Sequence, residues 1–546
     1  MYSTYSQFQQ FQLSTQPYQD TQRTWLAVYA PGRCASLAAS LELQLHRKFQ
    51  LTQSLDGLPQ GVDGVVVAAE DAECLSTTLS YFAAALQSGA DFAFCDAVFG
   101  FEGDTVVYRA AGRPEGCRCA VLSRALLERC RARAKDPDCP AALLELAFRL
   151  AGQPVHISQA LLRYRRPPCA EDLFSPRGKR ALLLSHVLDM TGAPIVLVSA
   201  VPVLRRMGYE VAVLGPGDGG SLSLFVEAGA TAVTHPDCVS SSALWGLATA
   251  ADLVIANTIV EVKAIRALSG GPVPVLWWLH DAFVGYGYLS HLIPRELGPN
   301  IRVCAVGSHA TAAMHAHRPG FEIGQLIYGL PDYAQDTFEP YDTGYAGGLP
   351  LFVSVGAFES RKGQDILVDA IRLLPGEVRS RAAFLFVGKG ADKRLLAQVQ
   401  QLAADYPQNV FYVSRLTRDE IKSLMQQCTC TVCSSRDDPM PTFVTEGLIF
   451  GKPGIVSEHT GTAGLITEGV DGFVYHGDSP AALAEAMTKL IAHPGLAARM
   501  APACRALYER YYSKQSFADT LQAQVEALLQ QVQPAPDVSC DPPGPV

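Results

Sequence analysis

The sequence has no apolar run of the ~18 residues needed to cross a bilayer, so membrane contact, if any, is expected to be peripheral. It also has no dense Lys/Arg run, and 44 basic against 53 acidic side chains leave a formal net charge of -9. That balance argues against nucleic-acid binding, which rests on neutralising many phosphates. It leaves room for one local basic pocket able to take a diphosphate. The opening MYSTYSQFQQFQLSTQ lacks the basic start and apolar stretch of a signal peptide, and the 15 cysteines are scattered and odd in number. A cytoplasmic protein with reduced thiols is therefore expected. Paired C-x-x-C hooks are missing too. Cys428, Cys430 and Cys433 fall in CTCTVCSS, which reads as a buried strand rather than a zinc site.

What is present is a chain of 546 residues with 48% hydrophobic and 18% charged side chains, suited to buried α/β cores. Its length suggests roughly two to four domains. A first block runs to about residue 166 and ends in the turn-rich RRPPCAEDLFSPRGK. A second runs from about 180 to 335, and its end merges into the Gly/Pro/Tyr-rich PDYAQDTFEPYDTGYAGGL, which suits a hinge. A third runs from 350 to 533, before a tail at 534–546 expected to be disordered. In block two ALLLS, EVAVLG, DLVIAN, PVLWWL, RVCAVG and QLIYG read as strands. In block three LFVSVG, FLFVG, VFYV, CTVCS and PGIVS do so. Strands alternating with amphipathic stretches predict two doubly wound α/β domains with parallel sheets. Ligands of such sheets lie at the carboxyl ends of the strands, in a cleft if two domains face each other.

Block three opens VSVGAFESRKGQDILVDAI, with Arg361 and Lys362 just before a helix. Cations oppose the helix dipole there, which favours an anion-binding role over an ordinary solvated pair. Further on, SSRDDPMPTFVTEGLIFGKPG separates Asp438 from Glu446 by seven residues. A helix starting with Pro441 in its first position would turn the free amides of Thr442 and Phe443 towards a phosphate. Asp438 would precede that helix, as a ligand or a simple cap. Glu446 would lie inside it among apolar neighbours, where a buried carboxylate needs a partner. In block two, Gly192 follows a strand and precedes an apolar helix, and His280-Asp281 closes the strand of WWLHD. Gly192 reads as a backbone approach to a ligand or as tight packing. His280 by itself reads as structural, and Ser308 as a helix cap.

RKG after a strand, the D-x7-E element, GKP and EGVDGFVY stand in the order found in glycosyltransferase family 4, which block three resembles throughout. Block two resembles the partner domain of that family. The resemblance implies the GT-B fold and retaining transfer of a sugar from a nucleoside diphosphate sugar. The acceptor would be a glycan or lipid-linked glycan hydroxyl, and the setting polysaccharide or glycoconjugate synthesis. It raises His280 to a catalytic candidate facing the donor sugar. It casts Lys362, Arg361 and Asp438 in the same catalytic group, with Gly192, Glu446, Pro441, Thr442 and Phe443 binding donor. Neither metal nor cofactor is expected at that site. The chain departs from the family in Ala357, where arginine is common, and in having Asp438 for glutamate and Pro441 for glycine. Block one, with Glu70-Asp71-Ala72-Glu73 after a strand, resembles a shortened, non-catalytic family 2 (GT-A) domain. The alternatives are a GT-B nucleotide-sugar isomerase or hydrolase, or a non-catalytic scaffold of polysaccharide assembly. A cytoplasmic enzyme, at most touching the inner face of the membrane, is the expected setting.

Overall fold

Short, largely apolar runs form many strands of this chain, because parallel strands covered by helices on both faces expose little of either side to water. Val65, Val66 and Val67 are fully buried, as are Leu276, Trp277, Trp278 and Leu279. The computed structural model describes residues 21–31, 35–56, 58–69, 71–100, 106–111, 118–136, 138–164, 168–175, 178–217, 219–235, 238, 246–342 and 348–532. Glu70, the tail at 534–546 and parts of both expected linkers lie outside them. Two units divide between Val275 and Leu276.

The first unit carries β1 (Leu26–Tyr29), β2 (Phe49–Thr52), β3 (Gly64–Ala68), β4 (Glu73–Cys74), β5 (Phe92–Gly100), β6 (Val106–Ala111), β7 (Cys119–Ser123) and β8 (Pro154–Tyr164). These are followed by β9 (Lys179–Ser185), β10 (Tyr209–Gly215), β11 (Thr231–Thr234) and β12 (Leu253–Asn257). They pair in the order β12-β9-β10-β11-β6-β5-β7-β3-β1-β2, with β8 beside β5 and β4. The strands β12, β9, β10 and β11 are mutually parallel, as are β2, β1 and β3. Antiparallel pairing of β6 with β11, Ala111 opposite Thr231, joins the two parallel groups into one sheet. Blocks one and two of the sequence are thus bonded edge to edge in this unit. α1 (Gly192–Val198) follows β9.

The second unit carries β13 (Val275–Leu279) from its second residue on, then α2 (Phe283–Tyr286), β14 (Ile301–Ala305), α3 (Ser308–His315) and β15 (Ile323–Gln325). QLIYG, expected as a strand, contributes only Gln325; the strand lies earlier. Next come β16 (Leu351–Val355), α4 (Gln364–Leu373), β17 (Ala383–Val387), β18 (Val410–Val413), α5 (Arg418–Gln427), β19 (Cys430–Cys433), α6 (Thr442–Ile449), β20 (Gly454–Ser457) and β21 (Gly472–Tyr475). The last six strands form an all-parallel sheet in the order β18-β17-β16-β19-β20-β21. Winding starts at β16, moves outward to β18, then returns to β19 and runs the other way. The switch point lies between β16 and β19, and the crevice beyond their carboxyl ends is the expected ligand position. Cys430 and Cys433 are buried in β19, and Cys428 is buried just before it, as packing residues. The stretch expected to hinge is pinned where it is described. Tyr333 is buried with its ring 5.6 Å from that of Phe450, and the Tyr341 amide bonds Ser423 Oγ at 2.9 Å.

Candidate active site

Two loops meet at the switch point. The one after β16 reads Gly356 to Lys362 and ends in a 3-10 turn, Ser360–Lys362. Gly363 then adopts φ +61°, and a Cβ on it would lie 2.1 Å from the carbonyl oxygen of Ser434. Only glycine lets the two loops approach this closely. The carbonyl of Arg361 accepts from the Arg436 amide at 2.7 Å, and Ser434 Oγ donates to the Lys362 carbonyl at 3.2 Å. Arg436 fastens the second loop to α4. Its guanidinium grips both oxygens of Asp365, at 2.8 and 2.7 Å, and reaches Asp478 at 2.9 Å. The Arg436 hydrogen bonds hold the Asp365 carboxyl below its ordinary range. Nothing local in the sequence separates this arginine from a solvated one.

Lys362 and Asp438 come together across these loops, Nζ to Oδ2 at 2.5 Å. Asp438 is buried, and its Oδ1 accepts from the Met440 amide at 3.2 Å. It therefore braces its own turn and does not cap α6, the bland reading of its position. Arg361 is engaged differently: its Nε bonds Glu359 at 2.8 Å. Of the two expected cations, Lys362 faces the acidic residue of the second loop. Ala357 lies in the first loop, and its carbonyl accepts from Gln364 Nε2 at 2.9 Å.

The helix α6 begins at Thr442, so Pro441 occupies the N-cap, one residue before its expected place. The first amide bonded back is that of Val444, to the Pro441 carbonyl at 3.2 Å. The first turn therefore leaves donors at Thr442 and Phe443, as helix geometry requires. Thr442 is exposed and Phe443 buried. Glu446 is 2% exposed, as its apolar neighbours implied, but its partner is a cation of this chain. Arg418, at the start of α5, makes an ion pair with its Oε1. Burial pushes the Glu446 carboxyl up from its ordinary value, and Arg418 counteracts part of that shift.

His280 lies half-buried at the end of β13, its ring 4.4 Å from that of Trp278. Three residues on, α2 begins, and its first two amides bond Asp437, the neighbour of Asp438. His309 joins the same carboxylate at 2.7 Å. Sequence reasoning missed Asp437 and His309 altogether. Ser308 is the first residue of α3 and does not cap it; the extended Gly307 holds the cap position. Ser308 Oγ instead packs 2.7 Å from where a Cβ of Gly464 would stand.

In the first unit, Gly192 opens α1 and is exposed. A Cβ there meets nothing within 4 Å, so tight packing does not explain the glycine. Asp71, in the acidic turn after β3, is paired with Arg118 at 3.2 Å. Among the described residues no group of three or more His, Cys, Asp or Glu side chains could hold a metal ion. No described helix is long and apolar enough to cross a membrane.

With this geometry in place, residues 177–319 match the family model described as glycosyl-transferase family 4. Residues 337–506 match that of the glycosyl transferases group 1. These two regions are thus domains of glycosyltransferase type, and the chain shares the GT-B fold, consistent with two Rossmann-like domains.

Its curated relatives include human alpha-1,3/1,6-mannosyltransferase ALG2, 26% identical over 190 residues, which are 33% of this chain and 45% of that protein. The D-inositol 3-phosphate glycosyltransferase of Xylanimonas cellulosilytica is 27% identical over 220 residues, 39% of this chain and 51% of that one. The chain thus spans about half the length of these relatives. Among solved structures, Anabaena HepE in complex with UDP and glucose superposes with a TM-score of 0.53 at 18% identity, over 64% of this chain and 100% of that one. Sucrose-phosphate synthase of Thermosynechococcus elongatus gives 0.52 at 15% identity, over 64% and 99%. At these identities the likeness is one of fold.

Proposed function

We propose that the chain transfers a sugar from a nucleoside diphosphate sugar to a hydroxyl of a glycan or lipid-linked glycan, with retention of anomeric configuration. The observation that carries this is the Lys362–Asp438 pair at the switch point of the six-stranded sheet. The open first turn of α6 is part of the same second loop. A departing diphosphate gains negative charge in the transition state, and donors fixed beforehand stabilise it most. Lys362, Arg361 and the amides of Thr442 and Phe443 supply those donors, and in this reading the donor site needs no metal. Asp438 accepts from hydroxyls of the sugar, Glu446 from those of the ribose, and His280 faces the reacting carbon. That HepE was solved with UDP and glucose, and that ALG2 is named a mannosyltransferase, support a hexose donor on this fold.

The parallel group β2-β1-β3, with antiparallel β7 beside it, supports reading residues 1–166 as a shortened GT-A-like module. We assign it a non-catalytic part, holding acceptor or partner.

The test is a thermal-shift screen against UDP, GDP, ADP and their common sugars, with and without magnesium or manganese. A metal-independent shift with one nucleotide, followed by sugar transfer and not donor hydrolysis, is the expected result. Free sugar as the main product, or no shift with any nucleotide, rejects the reading.

A further inference from the structure

The helix α2 is four residues long and follows directly on His280-Asp281-Ala282. A helix this short has every amide near its unsatisfied end, and Ala282 at the N-cap has no side chain to offer them. The cap comes from elsewhere in the chain. Asp437 Oδ1 accepts from the Phe283 amide at 3.0 Å and Oδ2 from the Val284 amide at 2.9 Å. Oδ1 also meets His309 Nε2 at 2.7 Å, and the His309 ring stands edge-on to Phe283, with centroids 5.2 Å apart. One carboxylate thus ties together the exit of β13, the first turn of α3 and the loop after β19. The side chains of His309 and Asp437 are only 9% and 13% exposed. Burial would raise the Asp437 carboxyl, but His309 and the two amides outweigh it and hold the group below its ordinary range.

The two adjacent acids therefore do different work. Asp438 faces Lys362, whereas both oxygens of Asp437 are committed to the chain itself. We propose that Asp437 is a positioning residue: it caps α2 in trans and, with His309, holds the His280-Asp281 turn in register with the donor loops. The inference rests on the donor-site reading above, and adds what fixes the histidine-bearing turn to that site. Asparagine at 437 keeps one acceptor but sets an NH2 group against an amide N–H or against His309. Misplacing a reacting group by about 1 Å costs on the order of a hundredfold in rate. The diphosphate contacts, on Lys362 and α6, are left in place.

The test uses the full chain with Asp437→Asn, His309→Ala and the double variant, and His309→Gln as the conservative replacement that keeps an N–H donor. Amide hydrogen exchange is followed at 282–286 and 442–446. Binding of UDP, GDP and ADP is titrated, and kcat is measured with a sugar of the nucleotide that binds. Asp437→Asn is expected to speed exchange at 282–286 about tenfold or more while leaving 442–446 unchanged. It should lower kcat between about tenfold and a hundredfold with nucleotide affinity within about twofold. The double variant should be no worse than the poorer single one, and His309→Gln should recover part of the loss. Unchanged exchange at 282–286, or unchanged kcat, overturns the proposal. So does a fall in nucleotide affinity matching the fall in kcat, because Asp437 would then be a donor contact. If the unaltered chain binds none of the three nucleotides, the donor reading fails, and exchange at 282–286 alone decides whether the cap exists.

Discussion

Lys362 Nζ lies 2.5 Å from Asp438 Oδ2, although the two residues stand 76 positions apart in the chain. The pair spans the point where the six-stranded sheet reverses its winding, and it joins the two loops best placed to meet a nucleotide. Lys362→Ala should lower kcat on the order of a hundredfold, the scale for losing one preorganised donor to a departing charge. It also leaves a buried carboxylate unpaired, so the melting temperature should fall. Lys362→Arg, which keeps the charge, should fall between the two in both measurements. A folded Lys362→Ala chain with unaltered kcat would remove the lysine from the mechanism.

Arg418 and Glu446 give a pH dependence with a definite sign. Burial raises the Glu446 carboxyl and Arg418 pulls it back. In the proposed role Glu446 accepts hydrogen bonds in its ionised form, so activity should rise as pH passes its pKa. Arg418→Ala removes the counteracting charge, and the acid limb of the rate profile should move to higher pH. A shift to lower pH, or none, would contradict this assignment.

Glu261, in the first unit, is 3% exposed, and burial pushes its carboxyl up to about 8. Its folded pKa is above the unfolded one, so its contribution to stability is complete below the unfolded value. That contribution is then lost as pH rises through the folded value. Glu261→Gln should therefore raise the melting temperature at pH 8.5 and change it little at pH 4. The gain at the higher pH should correspond to about 4–5 kcal/mol. Equal effects at both pH values would rule out an ionisation origin.

Gly363 tests the loop approach. Alanine there meets the Ser434 carbonyl at 2.1 Å and must hold φ +61°. Gly363→Ala should cost about 1–3 kcal/mol in chemical unfolding and weaken nucleotide binding along with stability. Binding at full strength in that variant would show that the loops need not meet.

Much of this was legible in the chain. Five of the six strands of the sheet β16–β21 announce themselves as short apolar runs, and the cations of Arg361-Lys362 stand out because they oppose a helix dipole. β21 opens on Gly472 after a polar turn and reads in the sequence as the motif segment DGFVY, not as a strand. The antiparallel contact of β6 with β11 has no local signature, since pairing partners far apart in sequence leave no mark on either strand. Glu446 could be read as buried, but not that its partner is Arg418, 28 positions away on another helix. The adjacent Asp437 and Asp438 are chemically identical in the sequence. Only the packing of α2 and α3 against the second loop separates the one that caps a helix from the one that faces Lys362.

The most direct measurement is isothermal titration of the full chain with UDP, GDP and ADP in the absence of divalent metal, repeated with Lys362→Ala and Glu446→Gln. One nucleotide is expected to bind without metal. Each substitution should weaken that binding by about tenfold or more while the variants stay folded. Binding that needs metal, or that survives both substitutions unchanged, would contradict the placement of the donor at the β16–β19 switch point.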